Sequence, residues 1–135
     1  MFRVSARNAH GHGTASSTVT FTTATAPDAP GTPTVTLTDT TIVITWTAGG
    51  DNNDAITAYR VKIEDSTGTG VEDTAECDGS DSSIVSDLSC SFTMTTLLSA
   101  PYSLSVGDSI IATVEAMNNY GYGAASADSN GALLV

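Results

Sequence analysis

The sequence predicts an all-β fold: two antiparallel sheets packed as a seven-stranded sandwich, preceded by the last two strands of a second copy. Three observations predict it. Short runs of alternating apolar and polar residues fill the chain, and no long 3.6-residue periodicity appears. Clusters of Gly, Asn, Asp and Pro separate these runs at the spacing of a β-sandwich. Finally, Ala6-Arg7-Asn8-Ala9-His10-Gly11-His12-Gly13-Thr14-Ala15-Ser16 returns 110 positions later, without a gap, as Ala116-Met117-Asn118-Asn119-Tyr120-Gly121-Tyr122-Gly123-Ala124-Ala125-Ser126. A fixed period of that size belongs to a tandem array of whole domains, not to a small solenoid repeat.

The elements follow in order. Phe2, Val4 and Ala6 alternate with Arg3, Ser5 and Arg7, and Thr18 to Thr23 carry Val19 and Phe21. Residues 1–25 thus form a hairpin, the last two strands of a preceding repeat. Its apolar face (Phe2, Val4, Val19, Phe21) requires cover, because a lone two-stranded hairpin is marginal in water. The cover comes either from the rest of its own domain, outside this sequence, or from another chain by strand complementation into a filament. Residues 26–33, with Pro27, Pro30 and Pro33, are expected as a stiff extended linker.

The complete domain is expected over 34–135. Val35 and Leu37 mark its first strand, and Ile42, Ile44 and Trp46 alternate in the second. After a Gly49-to-Asp54 turn, Tyr59, Val61 and Ile63 share one strand face while Arg60, Lys62 and Glu64 share the other. Val71 to Cys77 reads as a short acidic edge strand. Cys90, Phe92 and Met94 alternate in the next strand, with Leu97 just beyond. Ile110, Ala112, Val114 and Ala116 form the following strand, and Ala124 to Val135 the last, although Asp128-Ser129-Asn130-Gly131 is poor strand sequence.

Composition removes several function classes. The net charge is −11, with only Arg3, Arg7, Arg60 and Lys62 basic. Nucleic-acid binding needs cations to displace phosphate counterions, so it is excluded as a function class. No apolar run approaches the ~20 residues that span a bilayer, so no membrane insertion is expected in this segment. No basic stretch followed by an apolar one opens the chain, so a secreted form is expected to begin upstream of Met1.

The residues that carry these strands also resemble a known family. Trp46, the run Ile56-Thr57-Ala58-Tyr59-Arg60-Val61, Leu97, and the set Val114, Ala116, Asn118 and Gly123 resemble a fibronectin type III domain. Phe2, Val4, Ala6, Asn8 and Gly13 resemble its sixth strand and the loop after it. The resemblance implies an immunoglobulin-like sandwich with Trp46, Tyr59, Val61, Leu97, Val114 and Ala116 in the core. Ile110 stands where the family places the tyrosine of its corner motif, with Tyr102 nearby as the candidate substitute. The segment from Ala75 through Cys77 to Cys90, with Pro101-Tyr102-Ser103-Leu104, resembles a subtype in very large repetitive surface proteins of protists, ciliates especially.

Few side chains suggest chemistry. Cys77 and Cys90 flank a polar loop; a disulfide fits an extracellular β-domain, and two free thiols or a metal pair are the alternatives. His10 and His12 sit at i, i+2, a spacing that suits a metal, but their repeat counterparts are Tyr120 and Tyr122. A position occupied by either His or Tyr points to an amphipathic ring at a loop or interface. Asp51 and Asp54, and Asp78 and Asp81, are weak calcium candidates, since calcium takes oxygen ligands from such loops; ordinary turn and surface roles compete. No catalytic motif occurs and no cofactor is implied. There is no N-glycan acceptor site, whereas the Thr/Ser content leaves O-linked glycans open.

The expectation is a non-catalytic structural and interaction repeat of an extracellular or cell-surface protein. Its partners would be neighbouring repeats or identical subunits. A ligand-binding adhesin module for glycan or calcium, and an accessory domain of a large extracellular enzyme, are the alternatives.

Overall fold

The computed structural model describes residues 1–135. Two short strands, β1 (Arg7–Asn8) and β2 (Gly11–His12), open the chain. The body runs β3 (Thr34–Thr38), β4 (Thr41–Thr45), β5 (Ala58–Glu64), β6 (Gly70–Val71), α1 (Ser82–Asp87), β7 (Ser89–Thr93), α2 (Met94–Leu98), β8 (Ser109–Ile110), β9 (Ala112–Asn118), β10 (Gly121–Tyr122) and β11 (Ala132–Leu133). One sheet has the order β3-β4-β7, the other β10-β9-β5-β6, and β11 pairs with β8. All these pairings are antiparallel.

Alternation in sequence becomes a two-faced sheet because successive side chains leave a strand on opposite sides. Val35, Ile42, Ile44, Cys90 and Phe92 face inward from the first sheet, and Tyr59, Val61, Ile63, Val114 and Ala116 from the second. The register sets Tyr59 opposite Ala116 and Ile63 opposite Ala112, so bulky residues on β5 meet small ones on β9. Such pairing of large with small lets the layer fill without overpacking. Trp46 stands edge-on to Tyr59, with ring centroids 5.3 Å apart.

Several local features differ from the sequence reading. The expected strand from Val71 to Cys77 shortens to β6, because Asp73 turns the chain: its side chain accepts from the Ala75 N–H and its carbonyl from the Cys77 N–H. The polar loop after Cys77 contains α1, capped by Asp81 accepting from the Ser83 N–H at 2.9 Å, with Leu88 left-handed at its end. Leu97 is fully buried on α2, whose cap is Thr93. Tyr102 is fully buried and packs edge-on against Phe92, but its hydroxyl has no hydrogen-bond partner, so it forms no tyrosine-corner bond.

The poor strand sequence near the end works by side-chain substitution. Ser126 and Ser129 Oγ accept from the Val114 and Ala112 N–H groups, at 3.0 and 2.9 Å. Asn130 accepts from the Val35 N–H and so ties the closing segment to the other sheet. Residues 26–33 are extended, and they are docked rather than free. Pro27, Pro30 and Pro33 are buried, and Asp28 and Gly31 donate backbone hydrogen bonds to Gly50 and Thr47.

Candidate inter-repeat surface

The sequence repeat reproduces most of its local bonds. Gly13 N–H donates to Ala6 O, as Gly123 does to Ala116 O, both at 2.8 Å. Ser16 and Val4 exchange the same backbone and hydroxyl bonds as Ser126 and Val114. Asn8 Oδ1 accepts from the His10 N–H, and Asn118 Oδ1 from the Tyr120 N–H. The strand register also matches: Arg7 faces His12 and Asn8 faces Gly11, as Met117 faces Tyr122 and Asn118 faces Gly121.

The surroundings do not match. Ala112, Val114 and Ala116 are fully buried beside β5 and against the opposite sheet, whereas Phe2 and Val4 are 67% and 75% exposed. Val19 and Phe21 are also exposed, and Phe21 reaches only Phe2, edge-on at 5.8 Å. The hairpin therefore has the internal bonds of a sandwich edge without the sandwich.

A cluster of amide side chains marks the pole where the hairpin enters the domain. Asn118 Nδ2 donates to the carbonyls of Thr25, Asp51 and Asp54, at 2.7, 3.2 and 3.2 Å. Asn52 Nδ2 donates to Ala26 O at 2.8 Å and to Asp28 Oδ1 at 3.1 Å. The Thr25 N–H returns a bond to Asn52 O. A side chain on Gly123 would collide with the Pro27 carbonyl. The sequence reading assigned Asn118 and Gly123 to a strand end and its loop, and placed Asn52 in an ordinary turn. Their signal was present in part, since Asn and Gly are among the residues identical between the two copies.

The other candidates are dispersed. His10 and His12 are exposed on the hairpin loop. Tyr120 is exposed, while Tyr122 lies under the Arg60 guanidinium, 3.9 Å from its ring centroid. Arg60 and Lys62 both reach Glu115, at 2.6 and 3.3 Å. Partial burial acts to raise the Glu115 pKa, but those two cations outweigh it and hold the carboxyl below its usual range. The acidic candidates accept hydrogen bonds from nearby protein groups. Asp51 accepts from the Asn53 N–H, Asp54 binds Asn119 through both oxygens, Asp78 accepts from Ser80, and Asp81 caps α1. No group of three or more His, Cys, Asp or Glu side chains comes together around a common point.

Cys77 and Cys90 form a disulfide with Cα atoms 5.8 Å apart. Cys90 lies on β7, at the edge of one sheet, and Cys77 follows β6, at the edge of the other. The bond thus staples one open side of the sandwich. Beside it, Glu76 accepts from the Thr93 N–H at 2.7 Å and from the Thr93 and Thr96 hydroxyls. Burial raises the Glu76 pKa, but these bonds outweigh it and hold the carboxyl below its usual range.

A depressed folded pKa means the unfolded chain binds the proton first, so this stabilisation is present above pH ~4.3 and is lost as pH falls through the folded value. Glu76→Gln is expected to flatten the fall in melting temperature on acidification below pH ~4. Thermal melts across that window check it; an unchanged slope would show that Glu76 carries no linkage.

Two sheets joined this way define the immunoglobulin-like sandwich class. The family model "Fibronectin type III domain" matches residues 28–131, and the chain belongs to that family. Among solved structures, it is similar to titin domains A168–A170, at 19% identity and TM-score 0.59, covering 81% of this chain and 32% of that one. It is similar to the FN1–FN3 domains of chicken CNTN1, at 20% identity and TM-score 0.58, covering 79% and 32%. It is also similar to the twitchin kinase region from C. elegans, at 13% identity and TM-score 0.59, covering 81% and 17%. The chain thus spans about a third or less of those chains. A search of curated proteins finds no match. The family match begins inside the Pro-rich segment, in accord with its docking on the domain.

Proposed function

We propose that this chain is a non-catalytic structural repeat of a tandem array in a secreted or cell-surface protein, and that residues 1–25 close a preceding sandwich of the same kind. The observation that carries this reading is the match in register and in most local bonds between an exposed hairpin and a buried one. The disulfide supports an oxidising compartment. No helix is long and apolar enough to cross a membrane. The acidic residues engage protein hydrogen-bond donors, which gives the glycan or calcium adhesin reading no support.

Completion by a neighbouring repeat is favoured over a filament of identical subunits. A second folded copy offers no open acceptor, because its own residues 112–134 already fill the place the hairpin would take. What the hairpin lacks are strands with the chemistry of β3 to β7.

The test adds residues 26–111 ahead of Phe2 in place of Met1. Amide exchange of Phe2, Val4 and Ala6 should be fast in the 135-residue chain and slow in the extended one. Hydrophobic-dye binding should fall in parallel. No gain in protection would overturn the reading. Concentration-dependent polymers of the 135-residue chain with protected hairpins would replace it with completion in trans.

A further inference from the structure

Two identities between the copies are only partly explained by the hairpin's own contacts. Gly13 has an ordinary φ, and a Cβ there would meet only Ala6 O, at 3.7 Å. The Asn8 side chain uses its oxygen on the His10 N–H, while its Nδ2 donates to nothing. In the complete domain the same two positions have a clear task. Gly123 leaves room for the Pro27 carbonyl, and Asn118 Nδ2 grips the Thr25 carbonyl. Asn52 holds the next carbonyl, and the Asp28 N–H is held by Gly50 O at 2.9 Å. The backbone from Thr25 to Asp28 is thus gripped on several sides at the point where one repeat passes into the next.

We infer that Asn118, Asn52 and Gly123 form a seat for the incoming end of the preceding repeat, and that this seat fixes the orientation of consecutive repeats. Asn8 and Gly13 are the same seat in the preceding copy, shaped for a junction backbone like Thr25–Asp28. The partner is therefore a second repeat, received mainly through its main chain, with one side-chain bond from Asn52 to Asp28. Recognition through carbonyls tolerates sequence change in the junction, provided the backbone stays extended. Buried prolines keep it extended, because their φ is fixed. The array is then a stiff rod with a set angle at each joint, not a string of domains on free linkers.

The inference rests on the tandem reading above, but its test needs only the 135-residue chain. Asn118→Asp keeps the acceptor for the Tyr120 N–H and removes both donated protons. Amide exchange at Thr25 and Asp28 should be slow in the natural chain and about tenfold or more faster in this variant. Nitrogen-15 relaxation should show the hairpin tumbling with the domain in the natural chain and independently in the variant. Val61 and Val114 amides should not change.

Asn52→Gly is the second variant, since Asn52 has φ +54° and glycine accepts that conformation without strain. It should free the junction even if Asn118→Asp does not fold. Junction amides that exchange as in a free peptide in the natural chain would overturn the seat. So would unchanged exchange in both variants. Protection of Phe2 in the extended polypeptide could still hold in either case, so failure of the seat and failure of the tandem reading are separable.

Discussion

Trp46→Ala is expected to remove about 3 kcal/mol of stability, the lower end of the ~3–5 kcal/mol range for truncating a buried large aromatic. Trp46 is 5% exposed, lies between the sheets, and meets the Tyr59 ring at 5.3 Å. Its loss leaves a cavity that the surrounding β-strands cannot readily collapse to fill. The low end is chosen because Trp46 Nε1 is buried without a partner. Removing an unsatisfied donor recovers part of its ~1–3 kcal/mol desolvation cost. A domain of this size holds only ~5–15 kcal/mol in total, so the variant should lose roughly a fifth to three-fifths of its stability. Urea unfolding followed by far-ultraviolet circular dichroism measures this, since the only tryptophan is gone. A loss under ~1 kcal/mol would show that the ring does not anchor the core.

Cys77→Ala with Cys90→Ala is expected to cost about 3 kcal/mol, the loop-closure value for a loop near fifteen residues. The separation here is 13. Both sulfur atoms are in the core, so some burial is lost as well. An opposing effect arises from the loop itself. The Tyr59 N–H donates to Gly79 O, and α1 has its own cap, so the reduced loop retains attachments. Denaturant midpoints of the natural chain with and without reductant, against the double variant, decide the matter. Reduction should bring the natural chain to the variant's midpoint. A variant as stable as the oxidised chain would mean that the sheet edges hold without the staple.

Much of the fold was legible because its code is local. Alternation at Ile42-Val43-Ile44 and Tyr59-Arg60-Val61-Lys62-Ile63 names both the strand and its buried face. The two helices were missed for an equally local reason. Six and five residues are too few for a 3.6-residue period to show, and hydroxyl residues make up three of six in one segment and two of five in the other. Asp81 before Ser-Ser-Ile-Val and Thr93 before Met94 were the available start signals, as N-cap residues. The Pro-rich segment was read from composition as a spacer. Whether prolines project into water or lie against a neighbouring loop depends on residues sixteen or more positions away.

By itself, the sequence determined the sandwich, its core residues and the period of the repeat. These follow from side-chain periodicity and self-similarity, both properties of neighbours along the chain or of copies of it. Tertiary structure alone decided that the disulfide staples two sheet edges, that Glu76 ties α2 to that staple, and that Asn118 receives the Thr25 carbonyl. Each of these joins residues distant in sequence through hydrogen bonds or a covalent link, and such pairings leave no periodic trace. The hairpin needs both. Its sequence shows that it repeats, and only the packed copy shows what covers it.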